Sequence, residues 1–279
     1  MYGILALSLK TTNWCNLNCS HCREDSGRNV AREYMSVDKI EDYIIQFQEL
    51  PLNLSNRITI DGGEPMLPYF KKDENYIPTA LTLIAKAGAI PVIKTNGTWG
   101  RTYTDRNLIL KSLAKNANFT GRAITLNMPV DEFHENISGV SNIIADVVFS
   151  DYLRSAIHIE ISGFNTIGSI VAVARLRSDL KEKEITTIDS RNDDFVAYNN
   201  NGGGIHVSTN YLNDIYRLGR AQRNFLYTVK EIMPGCVNTI QLDNEDNAVL
   251  NHTVREQVNN RDLASVLDCL ITSFNRKQK

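Results

Sequence analysis

Three cysteines near the N-terminus, Cys15, Cys19 and Cys22, follow a C-x3-C-x2-C spacing. A cubane [4Fe–4S] cluster can take three thiolates from one short loop, which leaves one iron without a protein ligand. An open iron can bind a small molecule and change its chemistry, as a catalytic metal does when it keeps a vacant coordination position. The spacing therefore predicts an iron–sulfur cluster with one reactive corner.

Zinc is the nearest alternative for these thiols. A structural zinc ion takes four ligands, usually from two separated pairs of cysteines or histidines, and the sequence has no second pair. Cys236 and Cys269 are far from this loop and from each other, and we expect the ring of His21 to point away from a shared metal. A disulfide framework would leave one of the three thiols over. Zinc and unliganded thiols stay open as alternatives to the cluster.

Two glycine-containing segments each follow an apolar run that is typical of a strand. The first reads D-G-G-E-P at residues 61–65 and the second reads T-N-G at residues 95–97. A Gly-Gly pair at a strand end lets the backbone adopt unusual dihedral angles and lie close to a ligand. Backbone groups beside Glu64 can then hold an ammonium group. An ordinary tight turn is the alternative for both segments.

Together the cysteine loop and the G-G-E-P segment resemble the radical S-adenosylmethionine (radical SAM) enzymes. In this family a C-x3-C-x2-C loop follows the first strand, with an aromatic residue or histidine before the last cysteine, and G-G-E-P follows the second strand. His21 fills the first position, and residues 62–65 fill the second, about forty residues later. The resemblance covers residues 1 to about 222. It implies one [4Fe–4S] cluster on the three cysteines, with SAM bound at the open iron.

The resemblance also implies further contacts with SAM. In the family the G-G-E-P segment contacts the methionine part, and polar residues at later strand ends contact the ribose or the carboxylate. A G-R-A segment that ends the core supplies an arginine. The corresponding residues of this chain are His21, Gly62, Gly63, Glu64, Asn96, Asn127, Ser162 and Arg220. Turn-forming polar residues and an ordinary ion pair are the alternatives.

Three residues are candidates for the substrate site. Asp131 and His134 stand in a D-E-F-H-E stretch that is similar to a D-x-x-H-E stretch in several radical SAM subfamilies, although Pro129 departs from the usual small polar residue. They are expected to bind substrate or move a proton, and the start of a surface helix is the alternative. Cys236 is a candidate hydrogen-atom donor to a substrate radical. A relic of a lost cluster site and a buried hydrophobic residue are the alternatives for Cys236.

The region after residue 222 resembles a shortened SPASM or twitch extension. Members with that extension carry further cysteines for auxiliary clusters, whereas only Cys236 and Cys269 remain here. Two thiols cannot hold a cubane by themselves, so we expect a cluster-free cap at residues 223–279. Ile240–Val249 is expected to form a hairpin, and Leu263–Phe274 a helix with one apolar face.

These motifs need a scaffold, and hydrophobic periodicity predicts strands that alternate with helices. Ser36 is expected to cap the first helix, whose apolar stripe is Ile40, Tyr43, Ile44 and Phe47. The predicted strands are 3–9, 58–61, 90–95, 122–127, 156–162, 185–188 and 205–208, and the later predicted helices are 78–87, 105–114, 140–154 and 166–177.

Alternating strands and helices predict an α/β fold with a parallel sheet. Six such units would make the partial (β/α)6 TIM-like barrel that the resemblance implies, at residues 1–222, with the small C-terminal extension after it. Each motif then lies at a carboxyl strand end, where β/α folds bind their ligands. Asp189–Gly204, rich in Asp, Asn and Gly, is predicted to be a mobile loop, either a solvated connection or a lid.

Composition limits the function classes. The chain is 42% hydrophobic and 22% charged, as globular proteins are, and its net charge of −2 gives no indication of a nucleic-acid partner. There is no apolar run of transmembrane length and no signal-peptide pattern, so we expect no membrane association. Thiols and an oxygen-sensitive cluster suit a reducing compartment, which predicts a cytoplasmic protein.

The resemblance implies reductive cleavage of SAM to methionine and a 5′-deoxyadenosyl radical, which takes hydrogen from a C–H bond of a peptide or a small natural product. A flavodoxin- or ferredoxin-type protein is the expected reductant. The first strand begins at residue 3, so we expect no N-terminal peptide-binding domain, which favours a small molecule. A glycyl-radical activating enzyme is an alternative within the family. A non-catalytic iron–sulfur carrier or redox sensor, and a zinc-binding module, are the alternatives outside it.

Overall fold

The computed structural model describes residues 5–20, 22, 26–50, 54–71, 73–134, 136–164, 166–190, 194–212, 238–243, 247–250 and 254–257. His21, Arg220, Cys236 and the predicted helix 263–274 lie outside these residues. The chain divides into two compact units, residues 1–91 with 216–279, and residues 92–215. The predicted boundary at residue 222 falls outside the described residues and stays a prediction.

The described residues form eleven strands and six helices. In chain order they are β1 (Leu5–Lys10), α1 (Val37–Gln48), β2 (Leu54–Asp61), α2 (Tyr76–Lys86), β3 (Ile90–Lys94), α3 (Tyr103–Thr120), β4 (Ile124–Pro129), α4 (Ile137–Phe149), α5 (Asp151–Arg154), β5 (Ile157–Phe164), α6 (Ile167–Glu182), β6 (Ile185–Asp189), β7 (Phe195–Asn199), β8 (Gly204–Leu212), β9 (Asn238–Asp243), β10 (Asn247–Leu250) and β11 (Val254–Gln257). Short 3-10 turns cover Leu67–Lys71 and Thr98–Arg101. None of the helices in the described ranges is long and apolar enough to cross a membrane.

The sheet of the first unit has the order β11-β10-β9-β1-β2. β1 pairs in parallel with both β2 and β9, whereas β10 pairs antiparallel with β9 and with β11. The antiparallel pair of β9 and β10 lies where the hairpin was predicted. α1 packs against α2 in this unit. The sheet places the ends of β1 and β2 side by side, with Lys10 opposite Asp61.

The first helix follows its sequence signals. The hydroxyl oxygen of Ser36 accepts a hydrogen bond from the backbone N–H of Lys39, which confirms the predicted N-cap. The predicted apolar stripe is buried, namely Ile40, Tyr43, Ile44 and Phe47. Each predicted helix and strand up to residue 208 is present, although α3 extends to Thr120 and the predicted helix 140–154 is split at Ser150. Ser150 is extended there, and its side chain caps α5.

The sheet of the second unit has the order β3-β4-β5-β8-β7-β6. β3, β4, β5 and β8 are parallel, and β7 is antiparallel to both of its neighbours. α3 packs against β4 and β5, and α4 against β7 and β8. The predicted α/β class is therefore confirmed, since parallel strands alternate with helices as they do in partial (β/α) barrels. The strand beside β5 is β8, whereas β6 lies at the end of the sheet.

The prediction of a mobile loop over residues 189–204 is wrong for residues 195–199, which form β7. Phe195 and Ala197 are fully buried, and the Asp- and Asn-rich composition around them hides this short apolar alternation. The glycine-rich part is a hairpin turn. The side-chain oxygen of Asn199 accepts hydrogen bonds from the backbone N–H groups of Asn201 and Gly203, both at 3.0 Å.

The two faces of the sheet in the second unit differ in polarity. The face with the most buried side chains carries Ile93, Leu126, Met128, Ile159, Ile161 and Val207. The other face carries Lys94, Asn127, Glu160, Ser162 and Ser208, all of them partly buried. Parallel strands are usually apolar on both faces, so a polar face marks a candidate ligand surface. We call this surface the polar face.

Candidate functional site

The cysteine loop is joined to the segment after β2 by backbone hydrogen bonds. The N–H of Thr11 donates to the carbonyl of Asp61 at 2.9 Å, which continues the pairing of β1 with β2. Beyond it, the N–H of Gly63 donates to the carbonyl of Thr12 at 2.7 Å. The N–H of Glu64 donates to the carbonyl of Trp14 at 2.9 Å. Residues 62–64, which we call the G-G-E segment, therefore hold the chain up to Trp14, the residue that precedes Cys15.

The opposite side of the cysteine loop is held as well. The N–H of Cys15 donates to the carbonyl of Gly27 at 3.1 Å, and the N–H of Gly27 donates to the carbonyl of Asn13 at 3.3 Å. Arg28 reaches back through its Nε atom to the carbonyl of Asn16 at 2.7 Å. Residues 11–15 therefore lie between two backbone partners, in the manner of a central strand.

The two glycines of the G-G-E segment lie too close to the cysteine loop to carry side chains. A Cβ atom on Gly63 would lie 2.0 Å from the carbonyl oxygen of Trp14, and one on Gly62 would lie 2.4 Å from that of Thr12. Gly62 also has a φ of 135°, a backbone conformation that favours glycine. The pair lies against the backbone of the cysteine loop, and its contact with SAM stays a prediction.

The three cysteines are thiols rather than disulfides. Cys15 is buried, whereas Cys19 and Cys22 are partly buried, and the N–H of Cys22 donates to the carbonyl of Cys19 at 3.2 Å. Burial, and next the Glu64 carboxylate, raise the pKa of the Cys15 thiol to about 12. Cys19 and Cys22 add smaller electrostatic effects on Cys15 in the same direction.

This donor set fits the predicted cluster in number and in chemistry. Three thiols come from one loop whose first part, up to Cys15, is held on both sides by backbone hydrogen bonds, and soft thiolates are the ligands of iron–sulfur clusters. Within the described ranges, no three side chains of His, Cys, Asp or Glu form a site for a single metal ion. Because only thiolates bind such metals, a cluster held by Cys15 would displace the proton of this thiol.

Glu64 is the charged residue of the G-G-E segment, and the sequence predicts it as a contact of SAM. Its side chain is 1% exposed, and Oε1 accepts a hydrogen bond from the N–H of Met66 at 3.0 Å. The effect of its carboxylate on the pKa of Cys15 places the negative charge near the thiol. The contact of Glu64 with SAM stays a prediction.

Aromatic residues form one wall beside the loop, and the sequence analysis did not select them. The rings of Trp14 and Tyr34 meet edge to face at 6.5 Å, and those of Tyr34 and Tyr76 at 5.7 Å. The guanidinium of Arg32 lies 4.9 Å from the centre of the Trp14 ring. Burial, and next the Glu64 carboxylate, raise the pKa of the Tyr34 hydroxyl. No spacing in the sequence indicates this wall.

In the second unit, the T-N-G segment forms a tight turn after β3. Asn96 is buried, and its Oδ1 atom accepts hydrogen bonds from the N–H of Thr98 at 3.0 Å and from its hydroxyl at 2.6 Å. Gly97 has a φ of 71°. The indole N–H of Trp99 donates to the hydroxyl of Thr95 at 2.9 Å. The side chain of Asn96 thus shapes the turn, and its contact with SAM stays a prediction.

Asn127 and Ser162 lie together on the polar face. The hydroxyl of Ser162 donates to Oδ1 of Asn127 at 2.9 Å, and Nδ2 of Asn127 donates to Oε2 of Glu160 at 3.3 Å. In the strand register Lys94 lies opposite Asn127, and Ser208 lies opposite Glu160. Carboxylate, amide and hydroxyl groups in one row can bind the hydroxyls of a ribose. Glu160 was not selected from the sequence, although its alternation with buried isoleucines on β5 indicates this face.

Asp131 and His134 form a hydrogen-bonded pair. Oδ1 of Asp131 lies 2.9 Å from Nδ1 of His134 and accepts hydrogen bonds from the N–H groups of Phe133 and His134. Both side chains are largely buried, 2% exposed for Asp131 and 12% for His134. When Nδ1 carries the proton, Nε2 is the basic nitrogen of the neutral ring. The pair thus combines a turn cap with an oriented imidazole, and its catalytic role stays a prediction.

A second oriented histidine lies on β8 and was missed in the sequence. His206 lies with Nδ1 3.4 Å from the hydroxyl of Ser208 and with Nε2 3.5 Å from Oδ2 of Asp194. Asp194 is fixed by a hydrogen bond of 2.6 Å from the N–H of Thr209. Asp194 and His206 come together through the antiparallel pair of β7 and β8, which the loop prediction for residues 189–204 excluded.

Comparison with known proteins gives a family and a few partial matches. The family model described as the Radical SAM superfamily matches residues 9–182. An uncharacterized protein of Methanocaldococcus jannaschii is 38% identical over 69 residues, which are 24% of this chain and 22% of that protein.

Two similar solved structures are low in identity. The structure of native anSMEcpe with bound AdoMet is 20% identical with a TM-score of 0.41, over 64% of this chain and 49% of that chain. BtrN in complex with AdoMet and 2-DOIA is 17% identical with a TM-score of 0.36, over 60% of each chain. The chain spans less than two thirds of the length of each of these relatives. Because the family model matches well over half of its residues, this chain belongs to the radical SAM superfamily.

Proposed function

We propose that the chain cleaves S-adenosylmethionine reductively, at a [4Fe–4S] cluster held by Cys15, Cys19 and Cys22, and uses the product radical on a substrate C–H bond. The cluster, when bound, supplies one electron that breaks the sulfonium C–S bond to give methionine and a 5′-deoxyadenosyl radical. The hydrogen is then taken from a peptide or a small natural product. The observation that carries the proposal is the loop of three thiols, whose backbone up to Trp14 is held by the G-G-E segment in a radical SAM chain.

We propose separate roles in SAM binding and in the exclusion of water for other residues of the chain. Glu64, buried beside Cys15, is the acceptor we propose for the ammonium group of SAM. Asn127, fixed by Ser162 and Glu160, is the group we propose for its ribose. The aromatic wall of Trp14, Tyr34 and Tyr76 keeps water from the reacting groups. Exclusion of water and of stray hydrogen donors is the protein's main contribution to radical chemistry.

The proposed roles of the substrate-site residues follow from the chemistry of their side chains. Asp131 with His134 offers an oriented imidazole that can hold or move a proton. Cys236 and Arg220, outside the described residues, keep their predicted roles as hydrogen-atom donor and as partner of the SAM carboxylate. A flavodoxin- or ferredoxin-type protein is the proposed electron donor. A glycyl-radical activating enzyme differs only in taking a partner protein as substrate.

The test is SAM cleavage by protein that is purified and reconstituted without oxygen. Reduced with dithionite, the wild-type protein is expected to form 5′-deoxyadenosine, which mass spectrometry detects without knowledge of the substrate. Cys19→Ala removes one cluster ligand and is expected to abolish this product. Cys269→Ala, which changes a cysteine outside the loop, is the matched control and should leave it unchanged.

Three other outcomes would count against the proposal. A brown, iron-loaded protein that never cleaves SAM would favour the electron carrier or redox sensor. A colourless protein with one bound zinc ion would favour the interaction module. Equal activity of Cys19→Ala and wild type would show that the loop does not hold the cluster.

A further inference from the structure

We infer that Gly62 and Gly63 position the cluster-binding loop through their backbone, independently of any contact with SAM. The inference rests on the proposed function, because it concerns the cluster that Cys15 would hold. It assigns to the G-G pair a positioning role in cluster retention that is separate from the binding of methionine.

A row of backbone hydrogen bonds runs from the end of β2 into the cysteine loop. The N–H of Thr11 donates to the carbonyl of Asp61 at 2.9 Å. The carbonyl of Thr12 accepts from the N–H of Gly63 at 2.7 Å, and that of Trp14 accepts from the N–H of Glu64 at 2.9 Å. These bonds extend the parallel pairing of β1 with β2 past the strand ends. The last of them fixes the residue directly before Cys15, so the G-G-E backbone sets where the first thiol begins.

There is no space for a side chain at Gly63. A methyl group on Gly63 would lie 2.0 Å from the carbonyl oxygen and 2.5 Å from the carbonyl carbon of Trp14. Both atoms belong to the backbone, so a side chain could not be accommodated by a rotamer change. One of the two segments would have to move, and the hydrogen bond between Glu64 and Trp14 would break.

The cysteine loop cannot shift away from Gly63 without losing hydrogen bonds on its other side. Cys15 donates to the carbonyl of Gly27, and Gly27 donates to that of Asn13. Moving Trp14 away from Gly63 pushes this stretch into the segment around Gly27. A bulge at Gly63 therefore displaces Cys15 and costs the loop its fixed geometry, on which the retention of a three-thiolate cluster depends.

The experiment measures iron in the absence of SAM. Wild-type and Gly63→Ala proteins are reconstituted without oxygen, and the iron and sulfide per chain and the rate of iron loss to a chelator are measured. Because changes around metal ligands typically cost 10- to 100-fold in affinity, Gly63→Ala is expected to lose iron about ten-fold faster or more. Iron loss at the wild-type rate would overturn the inference.

Two matched variants separate positioning from other effects. Gly88→Ala places a methyl group at a glycine of the same unit that has a φ of 79° and no atom within 4 Å, so it changes a glycine without a clash and should retain iron. Glu64→Gln keeps both backbone hydrogen bonds and changes only the carboxylate. It is expected to weaken SAM binding in calorimetry, while iron loss is no faster than in wild type, because removing a negative charge near Cys15 does not disfavour its thiolate. If Glu64→Gln loses iron as fast as Gly63→Ala, the backbone is not the cause.

A measurement on the unmodified protein covers the case in which Gly63→Ala does not fold. Hydrogen exchange at the backbone N–H groups of Gly63 and Glu64 is compared between cluster-loaded and cluster-free wild-type protein, again without SAM. Since binding at the loop and order in its partner are linked, loading is expected to slow this exchange by about ten-fold or more. Equal rates in both forms would overturn the inference. Wild-type protein that takes up no iron would overturn the proposed function as well.

Discussion

At the scale of single residues, Asn127 shows how a polar side chain is prepared for a ligand. Its oxygen accepts from Ser162 and its amide nitrogen donates to Glu160, so the amide cannot flip without losing both bonds. The cost of breaking one such bond is about 1 kcal/mol, and it is larger for a bond to a charged group. The orientation of Asn127 is therefore fixed without any bound ligand.

This arrangement predicts a coupled effect on SAM affinity. Asn127→Ala is expected to weaken SAM binding to the cluster-loaded protein by about ten-fold, which corresponds to about 1.4 kcal/mol. Ser162→Ala, which acts through Asn127, is expected to weaken it less. In the double variant the effect of Ser162→Ala should vanish, because its partner is gone.

Anaerobic calorimetry of SAM binding checks this cycle. His158→Ala, which changes an exposed residue on the same face of β5, serves as the control and should bind SAM as wild type does. Additive losses for Asn127→Ala and Ser162→Ala would contradict the coupling and assign independent contacts to the two residues.

At the scale of elements, the predicted helices and strands were confirmed wherever local patterns decide the structure. Ser36 and its apolar stripe specify α1 by themselves, and the thiol spacing and G-G-E segment specify the loop chemistry. Contacts across strands could not be predicted, because they depend on register and on which strands are neighbours. The pairing of Glu160 with Asn127 became visible only with the register of β4 and β5, and that of His206 with Asp194 only with β7 paired to β8.

The Ser36 cap predicts a measurable change in stability. Ser36→Ala removes the acceptor for the N–H of Lys39 and is expected to lower the free energy of unfolding by about 1 kcal/mol. Asn75, at the N-cap of α2, makes no capping hydrogen bond through its side chain, so Asn75→Ala is the matched control in the same unit. Urea unfolding followed by circular dichroism compares the two. A loss for Asn75→Ala as large as that for Ser36→Ala would argue against capping as the cause.

At the scale of the whole molecule, the two tryptophans report on different units. The chain has only two, Trp14 in the first unit beside the cysteine loop and Trp99 in the second unit. Trp99→Phe leaves a reporter of the first unit, and Trp14→Phe leaves a reporter of the second. Fluorescence unfolding curves of the two variants therefore measure each unit separately.

Cluster loading is expected to raise the unfolding midpoint that Trp14 reports, because a ligand that binds only the folded loop stabilises the unit that contains it. The midpoint that Trp99 reports should rise less. Both curves are recorded with the cluster bound and after its removal by a chelator. Equal shifts for the two reporters would mean that the units unfold together.

The place of β8 beside β5 has a consequence for the order of folding. β6, β7 and β8 follow one another closely in the chain and pair as antiparallel neighbours, and such hairpins form within microseconds. The pairing of β8 with β5 must close a loop that contains α6, β6 and β7, which is slower because distant contacts carry a larger entropy cost. We therefore expect the three strands to form first and to dock on β5 as one piece. Glu160 and Ser208 would then meet only in the last step, so the polar face would be completed at the end of folding.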